Sequence, residues 1–115
     1  MHTPSREAAR LIEGGSGAID RATALLKAMA NDNRLHILCL LDTGEMSVTE
    51  LNGHLALSQS ALSQHLAILR REELVVTRRS SQTIYYSLQG ESARAIIATL
   101  VGLGLADDRS GRHLP

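Results

Sequence analysis

The chain has 115 residues, and its 12 Lys and Arg balance its 12 Asp and Glu. This length predicts a single domain with short tails, and the balanced charge excludes a protein that binds nucleic acid over its whole surface. Phe and Trp are missing and there is one Cys, so we expect an aliphatic core and no intrachain disulfide. The lack of a long apolar run or a signal-peptide pattern predicts a cytoplasmic protein that makes no contact with a membrane.

Residues 1–17 are expected to form a flexible arm, because a short helix over 5–13 would be ended by Gly14-Gly15-Ser16-Gly17. The domain itself is expected to span 18–105. Its first helix, over 18–30, has apolar residues at helical spacing. The second, over 32–42, follows the potential N-cap Asn31 and is apolar on most sides, so it should be buried as the hub of the core.

Two helices joined by a tight turn follow. Ser47 and Glu50 have the spacing of a capping box, which predicts a short helix to about His54. After the turn, Ser58 can cap a longer helix that extends to Arg71. A short helix, a tight turn and a longer helix together have the spacing of a helix-turn-helix.

The longer helix has one apolar face and one polar face. Leu62, Leu66 and Leu69 fall on a single stripe that must face the core. The other side carries hydroxyls, carboxamides and then arginines, where an ordinary surface helix carries Glu and Lys. Amides and hydroxyls can hydrogen-bond to base edges, and arginine binds phosphate or guanine, so this face suits the major groove of DNA. The candidate DNA-binding residues here are Gln59, Ser60, Ser63, Gln64, His65, Arg70 and Arg71. His65 lies beside the apolar stripe, so a structural hydrogen bond is an equal alternative to a DNA contact for this residue.

The pattern then changes to the alternation of β-strands, over 74–79 and 82–88, around Ser80-Ser81. A hairpin beside a helix-turn-helix is a wing. Three polar side chains near its tip, Arg78, Arg79 and Gln82, favour a contact with phosphate or the minor groove over a merely solvated turn. Between 54 and 88 the four arginines exceed the two glutamates, so this segment carries a net charge of +2 in a neutral chain.

The last helix, over about 91–105, carries more apolar surface than one face of a small domain can bury. The first helix of the domain has an apolar stripe as well. Together they predict a partner, and the simplest partner is a second copy. Residues 106–115 are expected to be a polar tail.

This order of elements resembles the ArsR/SmtB family of dimeric winged-helix repressors over about 25–103, and most closely its metal-independent HlyU/BigR/NolR branch. The segments that carry the resemblance are 25–31 (LLKAMAN), 34–39 (RLHILC), 57–66 (LSQSALSQHL) and 82–86 (QTIYY). The resemblance implies a mainly α (α+β) fold with about five helices and a two-stranded β-hairpin wing. It also implies a homodimer, held by the N- and C-terminal helices, that binds an imperfect palindrome in double-stranded DNA and represses a promoter.

The family's metal sites are not expected here, and we expect no cofactor. One family site needs a Cys-Val-Cys-type motif on the first helix of the helix-turn-helix, where this chain has 46–51 (MSVTEL). The other needs Asp and His on the last helix, where this chain has 94–98 (RAIIA). His36 and Cys39 share a helix face, but two ligands fall short of a zinc site.

Cys39 matches the first of two cysteines in the redox- and sulfide-responsive members of this branch. The second, near the end of the last helix, is replaced by Leu105, so the paired-cysteine switch is excluded. A one-thiol switch needs an exposed Cys39 with a lowered pKa, and His36 could assist it. The alternative is an inert cysteine packed as a small hydrophobic residue.

Two other classes of function have to be weighed. The winged helix could dock a protein instead of DNA, in which case its behaviour towards DNA would not depend on salt. A thiol enzyme built on His36 and Cys39 would lack an oxyanion site, so we expect no enzymatic activity. The sequence therefore predicts a dimeric DNA-binding regulator, with or without sensing at Cys39.

Overall fold

The computed structural model describes residues 2–107 and contains six helices and three strands in that part of the chain. The helices are α1 (Arg6–Glu13), α2 (Ala18–Met29), α3 (Asp32–Leu41), α4 (Val48–Leu55), α5 (Gln59–Arg71) and α6 (Ser92–Gly102). The strands are β1 (Met46–Ser47), β2 (Val75–Ser80) and β3 (Thr83–Leu88). This confirms the predicted winged helix-turn-helix, with α4 and α5 as its two helices and β2–β3 as its wing.

The sheet is larger than the predicted hairpin, because β1 adds a third antiparallel strand in the order β1-β3-β2. Met46 pairs with Tyr86 and Ser47 with Tyr85, which attaches the start of α4 to the wing. A strand of two residues has no alternation to detect, so the sequence pattern did not reveal it.

Side-chain caps fix where α3, α4 and α5 begin. The Asn31 side chain accepts hydrogen bonds from the backbone amides of Asn33 and Arg34. Ser47 and Glu50 form the predicted capping box at α4, and the Ser58 hydroxyl accepts from the amide of Ala61 at α5. Each such cap contributes about 1 kcal/mol by pairing amides that the helix leaves free. All three predicted caps are confirmed.

The core is aliphatic, as expected. Its fully buried members are Ile37, Leu38, Leu41, Leu51, Leu62, Leu69, Leu74 and Val75. Helix α3 contributes three of them, as expected for the hub of the core, but it is not buried on every side. His36 and Cys39 are exposed in the single chain.

Apolar side chains remain uncovered at both ends of the fold. Leu26 of α2 is 57% exposed and Val101 of α6 is 55% exposed, and Ala93 is the one buried residue of α6. The radius of gyration is 17.0 Å, compared with about 13 Å for a compact domain of roughly 100 residues. No helix within residues 2–107 has both the length and the apolar character that crossing a bilayer requires.

The N-terminal segment contains the short helix expected over 5–13, now seen as α1, and Gly14 ends it. Gly15 and Gly17 follow with positive φ angles of 88° and 92°. The flexibility assigned to 1–17 remains a prediction. Most of the polar tail predicted at 106–115 lies outside the described residues.

Candidate nucleic-acid interface

Helix α5 separates an apolar face from a polar one, as the sequence predicts. Leu62, Leu66 and Leu69 are buried against the core. The opposite face exposes a continuous set of hydrogen-bonding side chains: Gln59, Ser60, Ser63, Gln64, Arg70 and Arg71. These six side chains are exposed to solvent, whereas His65 is half-buried and lies at the edge of the core face.

The turn between α4 and α5 is closed by Asn52, which the sequence analysis did not single out. Its side-chain amide donates to the carbonyl of Leu57, and its side-chain oxygen accepts from the amide of Leu57, both at 2.8 Å. Ala56 between them adopts a left-handed conformation, with φ of 56°. The Asn52 carboxamide thus pairs the backbone amide and carbonyl of Leu57, which have no backbone partner in the turn, and it fixes the angle between α4 and α5.

An open groove of about 410 Å³ runs beside α5, between that helix and the sheet. Ser63, Arg70 and Arg71 line it from α5, and Tyr86 lines it from β3. Arg71 also pairs with Glu72 at 3.3 Å, with 70% of its side chain exposed. An exposed pair of this kind is weak, so the guanidinium can exchange Glu72 for a phosphate.

The two wing arginines are neighbours in sequence but lie on opposite faces of the hairpin. In the register of β2 and β3, Arg78 is paired with Tyr85 and Arg79 with Ile84. Successive side chains of a strand alternate between faces. Residues paired directly across two strands lie on the same face, so Arg79 shares the face of Ile84. Ile84 lines a hollow together with Val48 of α4, and this face is therefore turned towards the helix-turn-helix.

Arg78 is engaged within the protein. Its Nε donates to Glu45 Oε2 at 3.1 Å, its Nη2 donates to Glu45 Oε1, and its guanidinium carbon lies 4.8 Å from the centre of the Tyr85 ring. The hydrogen bond from Arg78 lowers the pKa of the Glu45 carboxyl, and the same bond raises the pKa of Arg78. Glu45 therefore neutralises the charge of Arg78. No local sequence pattern indicates this pair, because the two residues are 33 positions apart.

Arg79 and Gln82 are exposed near the tip of the wing. The Nη1 of Arg79 donates to the carbonyl of Ser81 at 3.5 Å, the weak end of the hydrogen-bonding range. Its charge is accordingly more available than that of Arg78.

His65 of α5 contacts Arg34 of α3. The Nη1 of Arg34 lies 3.3 Å from His65 Nδ1. Partial burial lowers the pKa of His65, and the neighbouring charge of Arg34 lowers it further. This contact supports the structural role that the sequence left open beside a DNA contact.

Cys39 lies in an apolar hollow of about 210 Å³ between α3 and the end of α6. Partial burial raises the pKa of the Cys39 thiol, and the negative charge of Asp42 raises it further. The lowered pKa that a reactive thiol needs is therefore missing. Within residues 2–107, His36 and Cys39 belong to no group of three side chains able to hold a metal ion.

Comparisons with known proteins agree with this geometry. The family described as "Bacterial regulatory protein, arsR family" matches residues 31–77. The transcriptional activator HlyU of Vibrio cholerae is 56% identical over 80 residues, which cover 70% of this chain and 74% of that protein. The structure of reduced HlyU from Vibrio cholerae has a TM-score of 0.71 at 51% identity, over 82% of this chain and 96% of that one.

A repressor is similar as well. The structure of the transcriptional repressor BigR from Xylella fastidiosa has a TM-score of 0.74 at 32% identity, and the match covers 87% of this chain and 96% of that one. The combination of an exposed polar recognition helix, a wing and these matches identifies the chain as a member of the ArsR family of bacterial winged-helix transcriptional regulators, which bind DNA.

Proposed function

We propose that the protein is a homodimer that binds an imperfect palindrome in a promoter and represses transcription by occluding it. The observation that carries this proposal is the coexistence of two uncovered surfaces on one chain. The polar face of α5 is suited to DNA, and the apolar side chains of α2 and α6 are suited to a second copy.

The dimer follows from what a single chain leaves exposed. Leu26 on α2 and Val101, Leu103 and Leu105 on and after α6 are all more than half exposed to solvent. A two-fold axis through such a surface buries the same side chains twice. It would also set the two copies of α5 about 34 Å apart, one turn of DNA, which requires a palindromic site.

Different side chains would supply specificity and affinity. Gln59, Ser60, Ser63 and Gln64 have the donor and acceptor groups that distinguish base edges in the major groove. Arg70, Arg71 and Arg79 would contact phosphates, and their contribution falls as salt rises because the release of DNA-bound counterions gains less free energy at a higher salt concentration. Arg78 would act as an internal support of the wing, since Glu45 already holds it.

Cys39 is the candidate for a signal, through sulfenic acid, a persulfide or a mixed disulfide. Its raised pKa leaves little thiolate at neutral pH. The environment of Cys39 therefore favours the alternative in which the protein binds DNA constitutively and Cys39 reacts slowly.

Selection of bound duplexes from a random pool tests the DNA-binding proposal. The wild-type protein should enrich a palindrome with half-sites one helical turn apart, and binding should weaken steeply with salt. Gln64→Ala should enrich a less defined sequence with similar overall affinity, because it removes a base contact and no charge. Enrichment of no sequence, or binding that is insensitive to salt, would instead favour a winged helix that docks a protein.

A further inference from the structure

The guanidinium of Arg34 joins three helices at one point. Arg34 itself belongs to α3. Its Nε donates to the carbonyl of Ala28 at 2.6 Å, and its Nη2 donates to the carbonyl of Lys27 at 3.2 Å, both at the end of α2. Its Nη1 faces Nδ1 of His65 on α5 at 3.3 Å.

The chemistry of this contact fixes the state of His65. Arginine has no acceptor and stays protonated at any physiological pH, so Nδ1 must accept the hydrogen bond. His65 is therefore neutral in this arrangement, with its proton on Nε2. At the other end, a cation at the last turn of α2 pairs carbonyls that the helix leaves free and complements the helix dipole.

The two helices that Arg34 connects have different tasks in the proposed function. Helix α2 carries the exposed Leu26 of the proposed dimer surface, and α5 carries the proposed DNA-reading face. His65 directly follows Gln64 in the chain. We propose that Arg34 and His65 are positioning residues that fix α5 against α2, and thereby set the separation of the two recognition helices in the dimer. This inference rests on the proposed function.

The charges around the contact make it sensitive to acid. A cavity of about 250 Å³ beside it is lined by Arg34 of α3, Lys27 of α2, and Arg71 and Glu72 at the end of α5. Glu72 is the one carboxylate of this set, and it already pairs with Arg71 at 3.3 Å. A protonated His65 would lose its acceptor at Nδ1 and would face Arg34 as a second cation, so protonation breaks the contact.

Three variants separate positioning from the other roles of these residues. His65→Asn keeps an acceptor where Nδ1 lies but removes the Nε2 proton and cannot be protonated. His65→Leu removes the acceptor. Arg34→Lys keeps the charge but loses the planar fork that reaches two carbonyls and a ring at once. For each, affinity is measured for the selected palindrome and for a scrambled duplex of equal length, beside the thermal unfolding midpoint.

We expect His65→Leu and Arg34→Lys to lower affinity for the palindrome by roughly tenfold or more while affinity for the scrambled duplex stays near wild type. His65→Asn should keep the wild-type ratio of the two affinities. A merely structural role would lower the unfolding midpoint and leave this ratio unchanged. When the pH is lowered from about 7.5 to about 5, the ratio of palindrome affinity to scrambled-duplex affinity should fall for the wild type and stay constant for His65→Asn.

Two results would overturn this inference and leave the proposed function intact. The first is an Arg34→Lys variant whose ratio of palindrome affinity to scrambled-duplex affinity equals that of the wild type. The second is a His65→Asn variant that loses as much palindrome affinity as His65→Leu, which would make His65 a DNA contact through Nε2. A wild-type protein that prefers no palindrome would overturn the proposed function and this inference with it. The two failures are thus distinguished by the wild-type measurement.

Discussion

Leu105 and Cys39 line the same apolar hollow, although one follows α6 and the other lies in the middle of α3. The family resemblance assigns a second cysteine to the position of Leu105. The structure places Leu105 and the thiol of Cys39 around the same hollow, so a sulfur atom at position 105 would lie near that thiol.

Leu105→Cys should therefore create an oxidant-sensitive protein. A disulfide requires Cα atoms within about 7 Å, a separation that side chains lining one small hollow can reach. After treatment with diamide, the variant should lose both free thiols within single chains, as measured by thiol titration and by mass under non-reducing conditions.

Leu103→Cys is the matched control. Leu103 is 66% exposed and is not among the residues that line the hollow. Its thiol should remain titratable, or should form bonds between chains. If Leu105→Cys behaves in the same way, the two positions are too far apart for the assignment of the family's second cysteine to Leu105.

Asp42→Asn should speed the alkylation of Cys39. Asp42 raises the pKa of the thiol, and removing its charge increases the thiolate fraction at neutral pH, by about threefold in rate. Because the pKa is raised, the wild-type rate should reach half of its maximum above about pH 8.5, the pH at which an ordinary thiol is half ionised. Asp32→Asn, at the opposite end of α3, should leave the rate unchanged. Equal rates for wild type and Asp42→Asn would show that burial alone controls the thiol.

Features set by neighbours in sequence could be predicted. The caps at Asn31, Ser47 and Ser58 depend on amides two or three residues away, and all three form. The two faces of α5 likewise follow from helical spacing, since Leu62, Leu66 and Leu69 must point to one side.

Contacts between distant residues could not be predicted. Arg34 and His65 are separated by 31 positions, and Glu45 and Arg78 by 33. No local pattern marks such partners. The exposure of Cys39 could not be decided from the sequence for a related reason. A run of apolar residues shows that α3 is buried somewhere, but whether every face is covered depends on the packing of all other elements.

Arg79→Ala and Arg78→Ala should differ in their effects on DNA binding. Arg79 lies on the wing face turned towards the helix-turn-helix, whereas Arg78 is held by Glu45. Arg79→Ala should weaken binding to all duplexes alike and reduce the slope of log affinity against log salt by about one. Arg78→Ala should leave that slope nearly unchanged. Fluorescence anisotropy at several salt concentrations measures both, and equal slopes for the two variants would contradict the assignment of the wing faces.

Leu26→Glu and Val101→Glu should each convert the protein to a monomer in solution. Both side chains are more than half exposed in the single chain, so the charge is tolerated there, but it would be desolvated in the proposed dimer. Val76→Glu is the control, because Val76 is 45% exposed but belongs to β2 and to neither of the two helices. Sedimentation equilibrium should give a dimer for the wild type and for Val76→Glu. If both Leu26→Glu and Val101→Glu remain dimers, the interface lies elsewhere on the chain. In that case both variants should also bind the operator with wild-type affinity.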